Sequence, residues 1–123
     1  MVKLSEPHRP AFEQEMDRTF AALADPTRRA ILSRMATAGE DGVRVTELAE
    51  PFMGTMSLPA VSKHVRVLER AGLLKQQRDG RVRRCMLDAE PLRQAAEWVA
   101  FYKQFWSDRL DALADYLESK PSK

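Results

Sequence analysis

Residues 57–87 read SLPAVSKHVRVLERAGLLKQQRDGRVRRCML and contain two successive periodic patterns. In the first pattern, apolar residues recur every three or four positions, which predicts one buried face of an α-helix. These residues are Leu58, Val61, Val65 and Leu68. Ser57 is suited to cap the start of this helix, and Gly72 is suited to end it. The stretch therefore begins with a helix whose inner and outer faces can be told apart.

A β-hairpin is predicted directly after this helix. Residues 73–77 and 82–87 are strand-like runs, and the Asp79-Gly80 pair between them is the strongest short-range hairpin signal. Within the second run, Cys85 has the alternation of a strand residue that points into the core. A buried lone cysteine behaves as a small apolar residue, which we favour over a redox switch. A disulfide between two copies of the chain stays an alternative.

Four shorter elements precede this stretch. A first helix begins at Phe12, and the Asp25-Pro26 pair predicts the N-cap and first residue of a second helix. Residues 43–45 indicate a short strand, and Thr46 is suited to cap a brief third helix. The residues expected on the apolar faces of these helices are Phe12, Met16, Phe20, Leu23, Ile31, Leu32, Met35, Leu48, Ala49 and Phe52.

A long last helix is predicted from Glu90-Pro91 to about residue 118. With 123 residues, the chain has the length of one domain, which we place at residues 10–119 after a flexible tail at residues 1–9. The fold class is mainly α with a small β-hairpin, in the order of a winged helix-turn-helix. Neither a membrane-spanning apolar run nor a signal-peptide core is seen, so we expect a cytoplasmic protein without membrane partners.

Positive charge is concentrated in the capped helix and the hairpin. Residues 57–84 contain eight Lys and Arg residues but only two acidic ones, whereas the net charge of the whole chain is +2. Lys and Arg side chains bind DNA phosphates, and the N-terminal residues of a helix can reach base edges in the major groove. We expect the polar residues of the capped helix to lie on its exposed face, with His64 at the border of that face. Ser62, Lys63 and His64 are expected to hydrogen-bond to bases. The predicted contacts with double-stranded DNA are Ser57, Pro59, Ala60, Ser62, Lys63, His64, Arg66, Arg78, Arg81, Arg83 and Arg84.

Three motifs together resemble the ArsR-type winged helix-turn-helix regulators. They are LADPTRRAIL at residues 23–32, SLPAVSKH at residues 57–64 and LERAGLL at residues 68–74. The resemblance implies a homodimeric transcriptional repressor that pairs through its first and last helices and binds a near-palindromic operator until an effector releases it. It also implies that residues 57–66 form the recognition helix and residues 78–84 the wing.

The first and last helices carry the residues that we predict at a dimer interface. Six of the nine aromatic residues fall in the last helix, more than a monomer of this size can cover. Some of these aromatic residues have polar tips at which a small organic effector could dock instead. The predicted interface residues are Phe12, Met16, Phe20, Trp98, Phe101, Tyr102, Phe105, Trp106, Leu110, Leu113 and Leu117.

No metal or other cofactor is predicted. Members of the family that sense metals use cysteines in the third helix or histidines with carboxylates in the last helix, and here the third helix has no thiol and the last helix no histidine. We read Asp108, Asp111 and Asp115 as a solvated face.

An enzyme is the least favoured class, because no phosphate loop, nucleophile elbow or His-carboxylate pair is found. The alternative to a repressor is a winged-helix module that binds proteins through its last helix, which the arginines of the hairpin argue against.

Overall fold

The computed structural model describes residues 11–119, with side chains from residue 13 onward. The predicted tail at residues 1–9 and the side chain of Phe12 lie outside the described residues. The elements are α1 (Ala11–Leu23), α2 (Pro26–Ala36), β1 (Val43–Arg44), α3 (Val45–Ala49), a 3-10 turn (Glu50–Phe52), α4 (Leu58–Arg70), β2 (Leu74–Asp79), β3 (Val82–Leu87) and α5 (Glu90–Ser119). This order confirms the predicted fold class, a mainly helical winged helix-turn-helix.

The three strands form one antiparallel sheet in the order β1-β3-β2. Strand β2 runs two residues further than predicted, so that Asp79 pairs with Val82 and only Gly80 and Arg81 form the turn. Gly80 has a φ of 67°, as the first position of a type II′ hairpin turn requires. The short β1 joins the hairpin at its other edge, where Val43 pairs with Cys85.

The core lies between α2, α3, α4 and one face of the sheet. Its most buried side chains are Ile31, Leu48, Val61, Val65, Leu68, Leu73, Leu74 and Cys85. Cys85 is completely buried, as its strand alternation predicted. The placement of Leu58 in the core is wrong, because it is 40% exposed at the first position of α4, one turn before the helix enters the core.

Capping residues begin two of the helices as predicted and a third one differently. Asp25 Oδ2 accepts a hydrogen bond from Arg28 N at 3.1 Å, and Ser57 Oγ accepts one from Ala60 N at 3.2 Å. The prediction that Thr46 caps α3 is wrong. That helix begins two residues earlier than predicted, since its N-cap is Arg44, whose backbone N donates a hydrogen bond to Glu47 Oε1 at 3.0 Å.

Helix α5 contains 30 residues and is therefore about 45 Å long. It packs against α1, where the rings of Phe20 and Trp98 meet edge to face at 5.6 Å. Ala95 is its one buried residue, and every described residue beyond it is exposed. None of the helices between residues 11 and 119 combines the length and apolarity that a bilayer crossing requires.

Candidate DNA-binding surface

The start of α4 presents short side chains outward. The Ser57 cap and Pro59 in the first turn begin the helix sharply after the turn that contains Gly54. Ser57, Pro59, Lys63 and Arg66 are exposed along one side of the helix, and Ala60 is half-buried. This is the arrangement with which a helix can enter a major groove, with its N-terminal residues leading.

Ser62 does not lie on this exposed side. The prediction that it faces outward is wrong, since it is 7% exposed and belongs to the same helix face as Val61 and Val65. Its Oγ accepts a hydrogen bond at 3.0 Å from Nη2 of Arg83 in β3. A polar residue is stable at this position because the guanidinium satisfies its hydroxyl.

His64 is held by α2 rather than pointing freely outward. Its Nδ1 lies 3.2 Å from Nη1 of Arg28 and 3.9 Å from Oδ2 of Asp25. Because arginine can only donate, Nδ1 acts as the acceptor and we assign the ring proton to Nε2. Only Nε2 is then left for a contact with DNA.

Asp25 combines a capping role with this interaction. Burial raises the pKa of its carboxyl, but the hydrogen bond from Arg28 N and the charge of the Arg28 guanidinium outweigh that effect, so the pKa lies below its usual value. The carboxylate therefore stays charged at the N-terminus of α2, where a negative charge is favourable.

The hairpin directs its arginines to different sides. Arg78 and Arg81 are exposed, whereas Arg83 and Arg84 are half-buried. Since successive strand residues point to opposite faces, Arg83 shares the face of Cys85 toward α4, and Arg84 lies on the other face. Arg84 lines an open polar cleft of about 640 Å³ together with Glu40, Asp41, Gln77, Arg78, Asp79 and Met86. The four arginines therefore do not form a single surface.

A smaller cavity of about 270 Å³ separates the start of α4 from the hairpin. It is lined by Arg44, Val45, Thr46, Leu58, Arg81, Val82 and Arg83. Three arginines around one opening between a helix and a hairpin make this concavity positive. The exposed Leu58 forms part of its wall.

Comparison with known proteins gives one consistent result. A family model described as a helix-turn-helix domain matches residues 23–77. The HTH-type transcriptional regulator Rv2034 of Mycobacterium tuberculosis is 36% identical over 104 residues, covering 85% of this chain and 90% of the relative. An ArsR family transcriptional regulator of known crystal structure, RHA00566, is similar with a TM-score of 0.67 at 38% identity, covering 77% of this chain and 93% of that one. This chain belongs to the ArsR family. It is a DNA-binding helix-turn-helix transcriptional regulator, as its three motifs predicted.

A further relative of this ArsR-family regulator is the transcriptional repressor SdpR of Bacillus subtilis. It is 31% identical over 84 residues, which cover 68% of this chain and 88% of the relative.

The ArsR-family regulator leaves a large apolar face on α5 uncovered. The side chains of Trp98 and Tyr102 meet at 5.2 Å, and Arg109 lies over the ring of Phe105 at 4.4 Å. All predicted interface residues of this helix are exposed, namely Trp98, Phe101, Tyr102, Phe105, Trp106, Leu110, Leu113 and Leu117. On α1, Met16 and Phe20 are half-buried. Their role in binding a second copy stays a prediction.

Two residues of this ArsR-family regulator were missed by the reading of the sequence. Arg28 lies inside a quoted motif but was given no role, and Arg44 was placed only in a short strand. No local pattern marks either residue, because Arg28 acts through a contact 36 residues away and Arg44 reaches the cavity only through the pairing of β1 with β3.

Proposed function

We propose that this ArsR-family regulator is a homodimeric, sequence-specific repressor that binds a near-palindromic operator. The observation that carries the proposal is the exposed outer side of α4 beside the exposed arginines of the hairpin. Lys63 and Arg66 on the helix and Arg78 and Arg81 on the hairpin are each exposed. Small side chains at the tip allow close approach to base edges, and the three arginines contact phosphates.

Within this proposal, some of the predicted residues contact bases, others contact the DNA backbone, and others act without touching DNA. Ser57, Pro59, Ala60 and Lys63 enter the groove, and Arg66, Arg78 and Arg81 contact the backbone. His64 contributes through Nε2 alone. Ser62 and Arg83 act on each other, and Arg84 lies on the far face of the sheet, from which it contributes only to the overall positive potential.

The dimer is proposed from the uncovered face of α5. Apolar area of this extent on a small monomer is typical of an interaction site, and its burial contributes about 25 cal/mol per Å². Pairing through α1 and α5 leaves residues 10–119 as one domain and presents two copies of α4. A near-palindromic operator matches such a twofold arrangement, with half-sites about 34 Å apart. The small organic effector stays a prediction.

The test starts from a random library of 30-base-pair duplexes, from which the full chain selects its preferred sequences. We expect one enriched motif with two related half-sites about one helical turn apart, and a sedimentation coefficient for the free protein that corresponds to two chains. Transcription in vitro from a promoter that overlaps the selected site should decrease when the protein is added. Absence of enrichment, together with no binding to any duplex at low salt, would refute sequence-specific DNA binding and favour the protein-binding alternative.

A further inference from the structure

Four side chains link the recognition helix α4 to the hairpin and back again. Arg83 in β3 donates from Nη2 to Ser62 Oγ at 3.0 Å and from Nη1 to Gln76 Oε1 at 3.5 Å. Gln76 in β2 donates from Nε2 to Glu69 Oε1 at 3.0 Å, near the end of α4. The path leaves α4 at Ser62, crosses both strands of the hairpin and returns to α4 two turns later.

Burial makes the bond between Arg83 and Ser62 the strongest of these links. Ser62 is 7% exposed, and Arg83 is half-buried. A hydrogen bond from a charged donor away from water is about twice as strong as a neutral one. The other two bonds are longer or more exposed, so that they orient the link more than they strengthen it.

The register of the hairpin makes an arginine at position 83 costly unless its side chain turns away from its neighbour. Arg83 lies directly opposite Arg78 on the same face of the sheet, and like charges in that position destabilise a strand pair. Arg83 turns toward Ser62 and Gln76, while Arg78 remains exposed. Arg83 therefore contacts other protein side chains, whereas Arg78 is open to solvent.

We infer that Arg83 is a positioning residue that fixes the angle between the recognition helix and the wing, and that Ser62 is its anchor. This inference rests on the proposed function, because the angle matters only if both parts contact one duplex. The wing meets the DNA backbone and α4 meets the bases, so a fixed angle sets which base pairs α4 can reach. Arg83 thereby contributes to sequence discrimination without contacting DNA.

The inference differs measurably from a phosphate contact by Arg83. Each lost phosphate contact reduces the dependence of log K on log salt by about 0.9. We expect Arg81→Gln to show this reduction and to weaken binding to all sequences equally. For Arg83→Gln and Ser62→Ala we expect an unchanged salt dependence, with a ratio of selected-site to scrambled-site affinity that falls about tenfold, the effect of one charge-assisted hydrogen bond.

The experiment compares wild type, Ser62→Ala, Arg83→Gln, the double variant and Arg81→Gln on two duplexes. One duplex is the sequence selected by wild type, and the other is a scrambled sequence of the same composition. The double variant should lose no more discrimination than the worse single variant, because both changes break one link. Thermal unfolding monitors whether each variant is folded, and discrimination among folded molecules is a readout that a purely stabilising residue would not move.

Amide hydrogen exchange of the free protein supplies a second arm that needs no DNA. Ser62→Ala and Arg83→Gln should both speed exchange in Val82–Leu87, whereas Arg81→Gln should leave it unchanged. The inference would be overturned if Arg83→Gln reduced the dependence of log K on log salt by about 0.9, as the loss of a phosphate contact does. It would also be overturned if Ser62→Ala changed neither the amide exchange nor the sequence discrimination. If wild type selects no sequence at all, the proposed function itself fails, an outcome separate from these.

Discussion

The thiol of Cys85 should be almost inert in the folded protein. It is completely buried, and its pKa is raised to about 11, chiefly by burial, with the charge of Arg83 lowering it and that of Glu69 raising it. At pH 8, a pKa of about 11 leaves ~0.1% of the thiol ionised, against ~24% for an ordinary cysteine of pKa ~8.5. Because only the thiolate attacks, we expect reaction with an aromatic disulfide reagent to be at least roughly 200-fold slower than for an exposed thiol.

The assay follows the released aromatic thiolate by absorbance at pH 8, with wild type in buffer and in urea. A matched control carries Cys85→Ala together with Ser119→Cys, which moves the single thiol to an exposed position at the end of α5. Wild type in buffer should react slowly, whereas unfolded wild type and the control should react at the ordinary rate. A folded wild type that reacts within about tenfold of the control would refute the reasoning and restore the redox switch as an explanation.

Three further outcomes are expected. Arg66→Ala should weaken operator binding and lower the salt dependence of log K by about 0.9, the effect of one lost phosphate contact, whereas Lys103→Ala on the acidic α5 should change neither. Leu113→Glu should shift the sedimentation coefficient toward one chain, because a charge would enter the proposed interface; Met53→Glu, at an exposed apolar residue outside α5, is the control and should leave it unchanged. Ser57→Ala should lower the free energy of unfolding by about 1 kcal/mol in urea titration, since Ala60 N would lose its capping partner; a change below about 0.3 kcal/mol would show that water replaces the cap.

Most of the fold could be predicted because its signals are local. The caps at Asp25 and Ser57 and the glycine of the hairpin turn act within a few residues of themselves, and helix and strand periodicity marks the inward faces. Thr46 was misplaced as a cap because Glu47 satisfies the same backbone group from inside the helix. Glu47 lies three residues after Arg44, and this spacing was the signal that could have corrected the prediction.

The site was less predictable than the fold, because the surroundings of Ser62 and His64 are set by contacts between elements. Ser62 is a polar residue on a buried face, and only the position of Arg83 in the sheet explains why it is tolerated there. His64 looks free on a helical wheel, yet Arg28 occupies its Nδ1. Exposed residues such as Lys63 could be placed directly, since they depend on no partner across the fold.

Arg28 joins α1 to α4 with one side chain. Its Nε and Nη2 donate to the carbonyls of Ala22 and Ala21 at 2.7 and 3.2 Å, while Nη1 meets His64. Tilting α1 by itself would break several of these bonds at once. The side chain therefore favours one arrangement of α1 and α4 over arrangements in which either helix is displaced alone.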